Sequence, residues 1–168
     1  VGDGNTSTAS LLTEPQFATR VRGLAAPDIT RDYFLSRIPF DSYNTRRVEI
    51  NRGANANLFG LGSPAGIVNQ ITTGPRFSNG GEVNIRIGEH GTFRVSLDVN
   101  QELIDDRLAV RMSALHDNEE FEQRPANEKQ ERLYSAIKWR ATETATVSVN
   151  VEFGDIRANR PNPVPPGE

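Results

Sequence analysis

The sequence predicts a mainly β protein in two parts: a small, irregular α+β region over residues 1–76, then an antiparallel up-and-down meander over residues 77–168. Three observations predict it. No apolar run in the 168 residues approaches the ~18 to 20 residues of a membrane-spanning helix. From Phe77 almost to the end, apolar and polar residues alternate with period two, the mark of strands with one apolar face. Between the two textures lies "RGANANLFGLGSPAGIVNQITTGP" (52–75), which holds five glycines, two prolines and three asparagines and then runs straight into alternation.

In the first part, "FATRVRGL" (17–24) and "RRVEINRG" (46–53) fit short strands. The stretch 43–59 reads as a strand carrying Val48 and Ile50, followed by one or two helical turns over Ala54 to Phe59 that Gly60 and Gly62 stop. "AGIVNQIT" (65–72) is a further short strand.

Five alternating runs of about 8 to 11 residues follow. The first places Val83, Ile85 and Ile87 opposite Glu82, Asn84 and Arg86. The second sets Phe93, Val95, Leu97 and Val99 against Arg94, Ser96, Asp98 and Asn100. The third sets Leu108, Val110, Met112 and Ala114 against Ala109, Arg111 and Ser113. The fourth sets Leu133, Ser135, Ile137 and Trp139 against Lys138 and Arg140, and the fifth Val147, Val149, Val151 and Phe153 against Thr146, Ser148, Asn150 and Glu152. "GEHG" (88–91), "IDD" (104–106) and "TET" (142–144) read as tight turns. "DNEEFEQRPANEK" (117–129) reads as a long polar loop, and "DIRANRPNPVPPGE" (155–168) as the opening of another. Apart from the first connection, long and short alternate, as in a meander trimmed at one end. None of the apolar positions in these runs carries a charge, which suits a lipid-facing surface and equally the inner face of a soluble β-sandwich.

Composition narrows the function. At 36% hydrophobic content the chain buries one modest core. Its net charge of -3, from 19 basic against 22 acidic residues, argues against nucleic acid as a partner. With no cysteine there are no disulfides, thiolate metal sites or cysteine nucleophiles. "VGDGNTSTAS" (1–10) lacks the basic start and apolar core of a signal peptide. His90 falls in a turn and His116 at a strand end, with no ligand spacing around either, so neither is a metal or catalytic candidate. "GLGSPA" (60–65) fits a dinucleotide fingerprint only on paper, because Pro64 and the β-branched pair after Gly66 offer no helix. Asp105–Asp106 and Glu119–Glu120 are solvated loop charge, and Asn5-Thr6-Ser7 is a formal glycosylation sequon. No catalytic residue, cofactor or metal is expected.

Two segments decide the case: "VRGL" (21–24) and "YNTRRVEINRGANANLFGLGSPAGIVNQITTGP" (43–75). Together they resemble the plug domain of TonB-dependent outer-membrane receptors, with Arg47, Val48, Glu49, Ile50, Arg52, Gly53, Leu58, Phe59, Gly60, Gly62, Gly66 and Asn69 matching the family pattern in order. Pro64-Ala65-Gly66 stands where many members carry a Gly-Gly pair. The resemblance implies that 1–76 is the C-terminal part of a plug and 77–168 the first five or so strands of a roughly 22-stranded transmembrane barrel. It further implies a transporter of the cell outer membrane that imports a scarce ligand such as a ferric siderophore, gated by the plug. The implied partners are outer-membrane lipid and a TonB-type energy-transducing protein whose contact segment is not in this chain. By the same resemblance Arg22 and Arg52 lock the plug to barrel carboxylates, the alternative being ordinary surface arginines. Gly23, Gly53, Gly60, Gly62 and Gly66 serve the plug turns. Ligand contacts would come from 31–44 and 117–129, with Tyr33, Phe40 and Tyr43 as candidates and Phe34 beside them, although plug packing is the commoner reason for such aromatics. The alternative reading is a soluble or surface-displayed β-rich binding module.

Overall fold

The computed structural model describes residues 26–52, 63, 65–122 and 124–159. The chain forms two compact units, Val1–Thr73 and Gly74–Glu168. Among the described residues no helix is long and apolar enough to cross a membrane.

The first unit is a four-stranded sheet of β1 (Asp28–Arg31), β2 (Phe34–Leu35), β3 (Thr45–Asn51) and β4 (Ile67–Thr72), in the order β2-β1-β4-β3. β1 and β4 run parallel, and β3 pairs antiparallel with β4 from Asn51↔Ile67 to Thr45↔Thr72. A 3-10 turn, Ser42–Asn44, precedes β3, and the Asp41 carboxylate caps it by accepting from the Tyr43 amide at 2.9 Å. The strands expected around Val48 and Ile50 and over 65–72 are β3 and β4. The helical turns expected over Ala54 to Phe59 and the strand over 17–24 lie outside the described residues.

This sheet has a polar heart. Thr30, Asn44, Asn69 and Gln70 are fully buried, each with hydrogen-bond partners. Burying an amide without partners costs ~1 to 3 kcal/mol, so these residues accept only one arrangement of the strands around them.

The second unit is a five-stranded antiparallel meander: β5 (Gly80–Ile87), β6 (Phe93–Ile104), β7 (Leu108–Glu120), β8 (Asn127–Arg140) and β9 (Thr146–Asn159), paired in chain order. All five alternating runs are strands, in the expected faces. Val83, Leu97, Ala114, Leu133 and Phe153 form one cross-strand row on the apolar face, and Val99, Met112, Ser135 and Val151 form the next.

The strands are longer than the alternation indicated. β7 and β8 stay paired out to Glu120↔Asn127, so the connection between them is 121–126 rather than 117–129, and β9 runs through 155–159. The reason is that the backbone ladder is indifferent to side-chain polarity. Beyond Leu133 and Phe153 the rows become His116–Glu131–Asp155 and Asn118–Lys129–Arg157, polar on both faces, so the period-two signal fades while the hydrogen bonds continue. His116 sits inside β7, its Nδ1 at 3.4 Å from Glu131, rather than at a strand end.

The boundary between the units falls at Thr73/Gly74. Residues 74–79 have no alternation, yet they are bonded to β6.

Candidate functional site

The five-stranded sheet is inverted relative to a water-soluble one. Ile85, Ile137, Val149 and Phe153 on the apolar face are exposed, Phe153 to 66%. On the opposite face Ser113, Tyr134, Ala136 and Arg132 are buried. That buried face carries charge in pairs: Arg94 with Asp117 at 2.6 Å, Arg111 with Asp98 at 2.7 Å, and Arg132 with Glu152 at 2.7 Å. Ser113 Oγ adds a bond to Asp98. Each pair links neighbouring strands, so Arg94, Arg111 and Arg132 each have a counter-charge beside them on this face. Apolar outside and ion-paired inside is what a sheet needs when its outer solvent is hydrocarbon.

Trp139 shares a row with Leu108 and Val147 at one end of the apolar band, while Phe93 and Phe153 stand at the other. Aromatic rings at both limits of the band fit the two interfaces of a bilayer.

In the small sheet, the chemistry gathers at the β1–β2 hairpin. Its loop is Asp32 and Tyr33, both in the left-handed region (φ 47 and 69), as a two-residue type I′ turn requires. Asn or Gly usually fills such positions, so a tyrosine there is held against its own preference. Four bonds hold it. The Tyr33 amide and Thr30 Oγ1 both donate to Asn69 Oδ1 at 2.9 Å, and the phenol donates to Glu49 Oε2 at 2.7 Å. The Asp32 carboxylate accepts from the Thr72 amide at 2.9 Å and its hydroxyl at 2.6 Å. Arg47 completes the set, 2.6 Å from Glu49 Oε1.

The phenol of Tyr33, and then Arg47, hold the Glu49 carboxyl below the usual range, and the same bond raises the phenol. The sign follows from linkage. The Glu49 contribution is complete above the ordinary glutamate pKa and is lost as pH falls through the depressed folded value. The Tyr33 contribution is complete below the ordinary phenol pKa and is lost as pH rises through the raised one. A pH series of thermal melts of the full-length protein should therefore show an acid-side fall that Glu49→Gln flattens and Tyr33→Phe diminishes. An unchanged slope in Glu49→Gln would show that this carboxylate carries none of it.

The candidate residues fall in different places. Tyr33 is 43% exposed at the hairpin tip, Phe40 is half-buried, and Tyr43 is buried in the 3-10 turn, where its ring packs instead of facing solvent. Arg52 is exposed directly after β3. Gly66 is left-handed (φ 95), and a Cβ there would lie 2.1 Å from the Asn51 carbonyl oxygen. Arg22, Gly23, Gly53, Gly60 and Gly62 lie outside the described residues. The segment 31–44 holds the hairpin and the 3-10 turn, whereas most of 117–129 is strand. Sequence reasoning counted Glu49 and Asn69 within a family pattern without their roles. Two amides, Asn69 and Gln70, amid the apolar residues of β4 were the available sign of a buried polar network.

No protein-family model matches the chain. Sequence relatives do. Over 109 residues it is 30% identical to the ferrioxamine B receptor of Salmonella typhimurium, a match covering 64% of this chain and 16% of that protein. Over 75 residues it is 36% identical to the catecholate siderophore receptor Fiu of Escherichia coli, covering 45% of this chain and 10% of the relative. The ferrichrome outer membrane transporter/phage receptor of Escherichia coli is 26% identical over 131 residues, 71% of this chain and 18% of its own length. The chain thus spans less than a fifth of these relatives. Their names are those of receptors and transporters, not enzymes. In fold, the open form of the Escherichia coli ferric-catecholate import receptor Fiu superposes with a TM-score of 0.74 at 22% identity, over 82% of this chain and 21% of that one. The ferripyoverdine receptor of the Pseudomonas aeruginosa outer membrane gives 0.73 at 21% identity, over 82% of this chain and 20% of that one. A small mixed sheet, an inverted meander and these matches agree: in sequence and in fold the chain is similar to TonB-dependent outer-membrane siderophore receptors over part of their length.

Proposed function

We propose that the receptor containing this chain imports a ferric siderophore across the outer membrane. Residues 1–76 would be the C-terminal part of its plug and 77–168 the opening strands of its barrel, with energy supplied by a TonB-type inner-membrane partner. No covalent step is involved. The plug blocks a lumen until it is displaced, and the ligand crosses. The observation that carries the reading is the inverted sheet, apolar outside and ion-paired inside, in a chain whose relatives are named for ferrioxamine, catecholate and ferrichrome ligands.

Within this reading, Arg22 and Arg52 tie the plug to barrel carboxylates, and Gly23, Gly53, Gly60, Gly62 and Gly66 shape the plug turns. Tyr33 and Phe40 are the ligand-facing candidates, and Tyr43, with its ring buried, is not. The test is iron uptake by cells that lack other siderophore receptors and express the full-length protein, supplied in turn with ferric catecholate and ferric hydroxamate. Uptake that requires an energised inner membrane supports the reading. Binding without uptake, or neither, overturns it. A charge reversal, Arg52→Glu, should raise the ion conductance of the receptor in planar bilayers, and unchanged conductance removes Arg52 from the lock.

A further inference from the structure

Residues 74–79 connect the last strand of the first unit to β5, and they carry no regular structure. They are nevertheless fixed to the meander. Asn100, buried on the inner face of β6, accepts from the Arg76 amide at 3.0 Å through Oδ1 and donates from Nδ2 to the Arg76 carbonyl at 2.9 Å and to the Ser78 carbonyl. A side-chain amide that pairs with both the N–H and the C=O of one residue imitates a neighbouring strand, and it does so whatever side chain that residue bears. Asn79 Oδ1 takes the Glu102 amide at 2.8 Å. Between them the Phe77 ring has the Arg140 guanidinium at 4.7 Å and the Lys138 ammonium at 5.5 Å from its centroid.

The other end of the segment is held as well. The Thr73 amide donates to the Asn44 carbonyl at 2.9 Å within the first unit. Pro75 is buried and its ring fixes φ. Gly74 alone stands between, exposed, with nothing within 4 Å of where a Cβ would be. Backbone freedom is therefore concentrated in one residue.

We propose that Asn100 is a positioning residue which, with Phe77 and Asn79, staples residues 75–79 to the inner wall, making Gly74 the joint at which displacement of the plug stops. The inference rests on the transport reading for its second half and on geometry alone for its first. A pull on the plug would then be absorbed on its N-terminal side, and the start of the barrel would keep its register while the plug moves.

Both halves are tested in the full-length receptor. In outer-membrane vesicles, amide hydrogen exchange at Arg76 should quicken about tenfold in Asn100→Ala, the loss of one ordinary hydrogen bond. Asn100→Asp keeps one acceptor but sets a carboxylate oxygen against the Arg76 and Ser78 carbonyls, so it should quicken exchange at Arg76 as well. Phe77→Leu should loosen the segment and Phe77→Trp restore it. Equal exchange at Arg76 in wild type and Asn100→Ala overturns the staple. In energised cells given ferric catecholate, the spin-label distance between residues 78 and 150 should stay fixed while that between 46 and 150 changes. If both change together, the joint is not at Gly74 and the proposal falls. If neither responds while the exchange result holds, the staple stands and the import reading fails.

Discussion

Replacing Ile137 with arginine is expected to cost ~2 to 4 kcal/mol of the folded receptor's stability in a bilayer. Ile137 is 47% exposed near the middle of the apolar run Leu133–Trp139, flanked in its row by Val110 and Val149. In hydrocarbon a guanidinium there has neither water nor a counter-ion. The matching change on the opposite face, Asn150→Arg, enters a surface already furnished with arginine and carboxylate and should be nearly neutral. Urea unfolding of the full-length protein in vesicles reads both. A soluble module with this face in water predicts no such asymmetry, because an exposed position in water accepts arginine within about ±0.5 kcal/mol. Equal effects at 137 and 150 would therefore remove the membrane reading.

Gly66→Ala should destabilise the small sheet by on the order of 3 kcal/mol, combining a left-handed conformation that costs an L-residue ~1 to 2 kcal/mol with a steric clash. The added Cβ would meet the Asn51 carbonyl oxygen at 2.1 Å and the Arg52 Cα at 3.0 Å. Both are backbone atoms, so relief requires β3 to move away from β4 at the Asn51↔Ile67 end of their pairing. The Gly66 carbonyl also accepts the Asp28 amide at 3.0 Å, so the start of β1 moves with it. The expected result is a receptor whose barrel still resists heat and detergent but whose first unit is cleaved by protease. A plug as protease-resistant as the wild type would show that the clash is relieved without cost.

Much of this was legible in the chain. The residues Val83 to Ile87, Phe93 to Val99 and Leu133 to Trp139 announce strands and their faces because period two is a local property. Where polarity occupies both faces, as at Asp117 to Glu120 and Asp155 to Asn159, local alternation disappears and the ladder that continues there is legible only from the partner strand. The turn at Gly66 was marked by its glycine. The turn at Asp32–Tyr33 was not, since a tyrosine in the left-handed region is held by Asn69 and Glu49, residues far along the chain. The same holds for Tyr43, whose burial depends on the 3-10 turn around it.

By itself the sequence determined the strands and the identity of the apolar face, since each rests on spacing within one segment, and its resemblance over 21–24 and 43–75 pointed to the family. Only the tertiary structure decided the pairings that join distant segments: Arg94 with Asp117, Arg132 with Glu152, Glu49 with Tyr33, and Asn100 with the backbone of Arg76. Such contacts depend on strand register and sheet order, which no single stretch of sequence encodes, and a charge or amide becomes part of a site only when register sets its counterpart within about 3 Å.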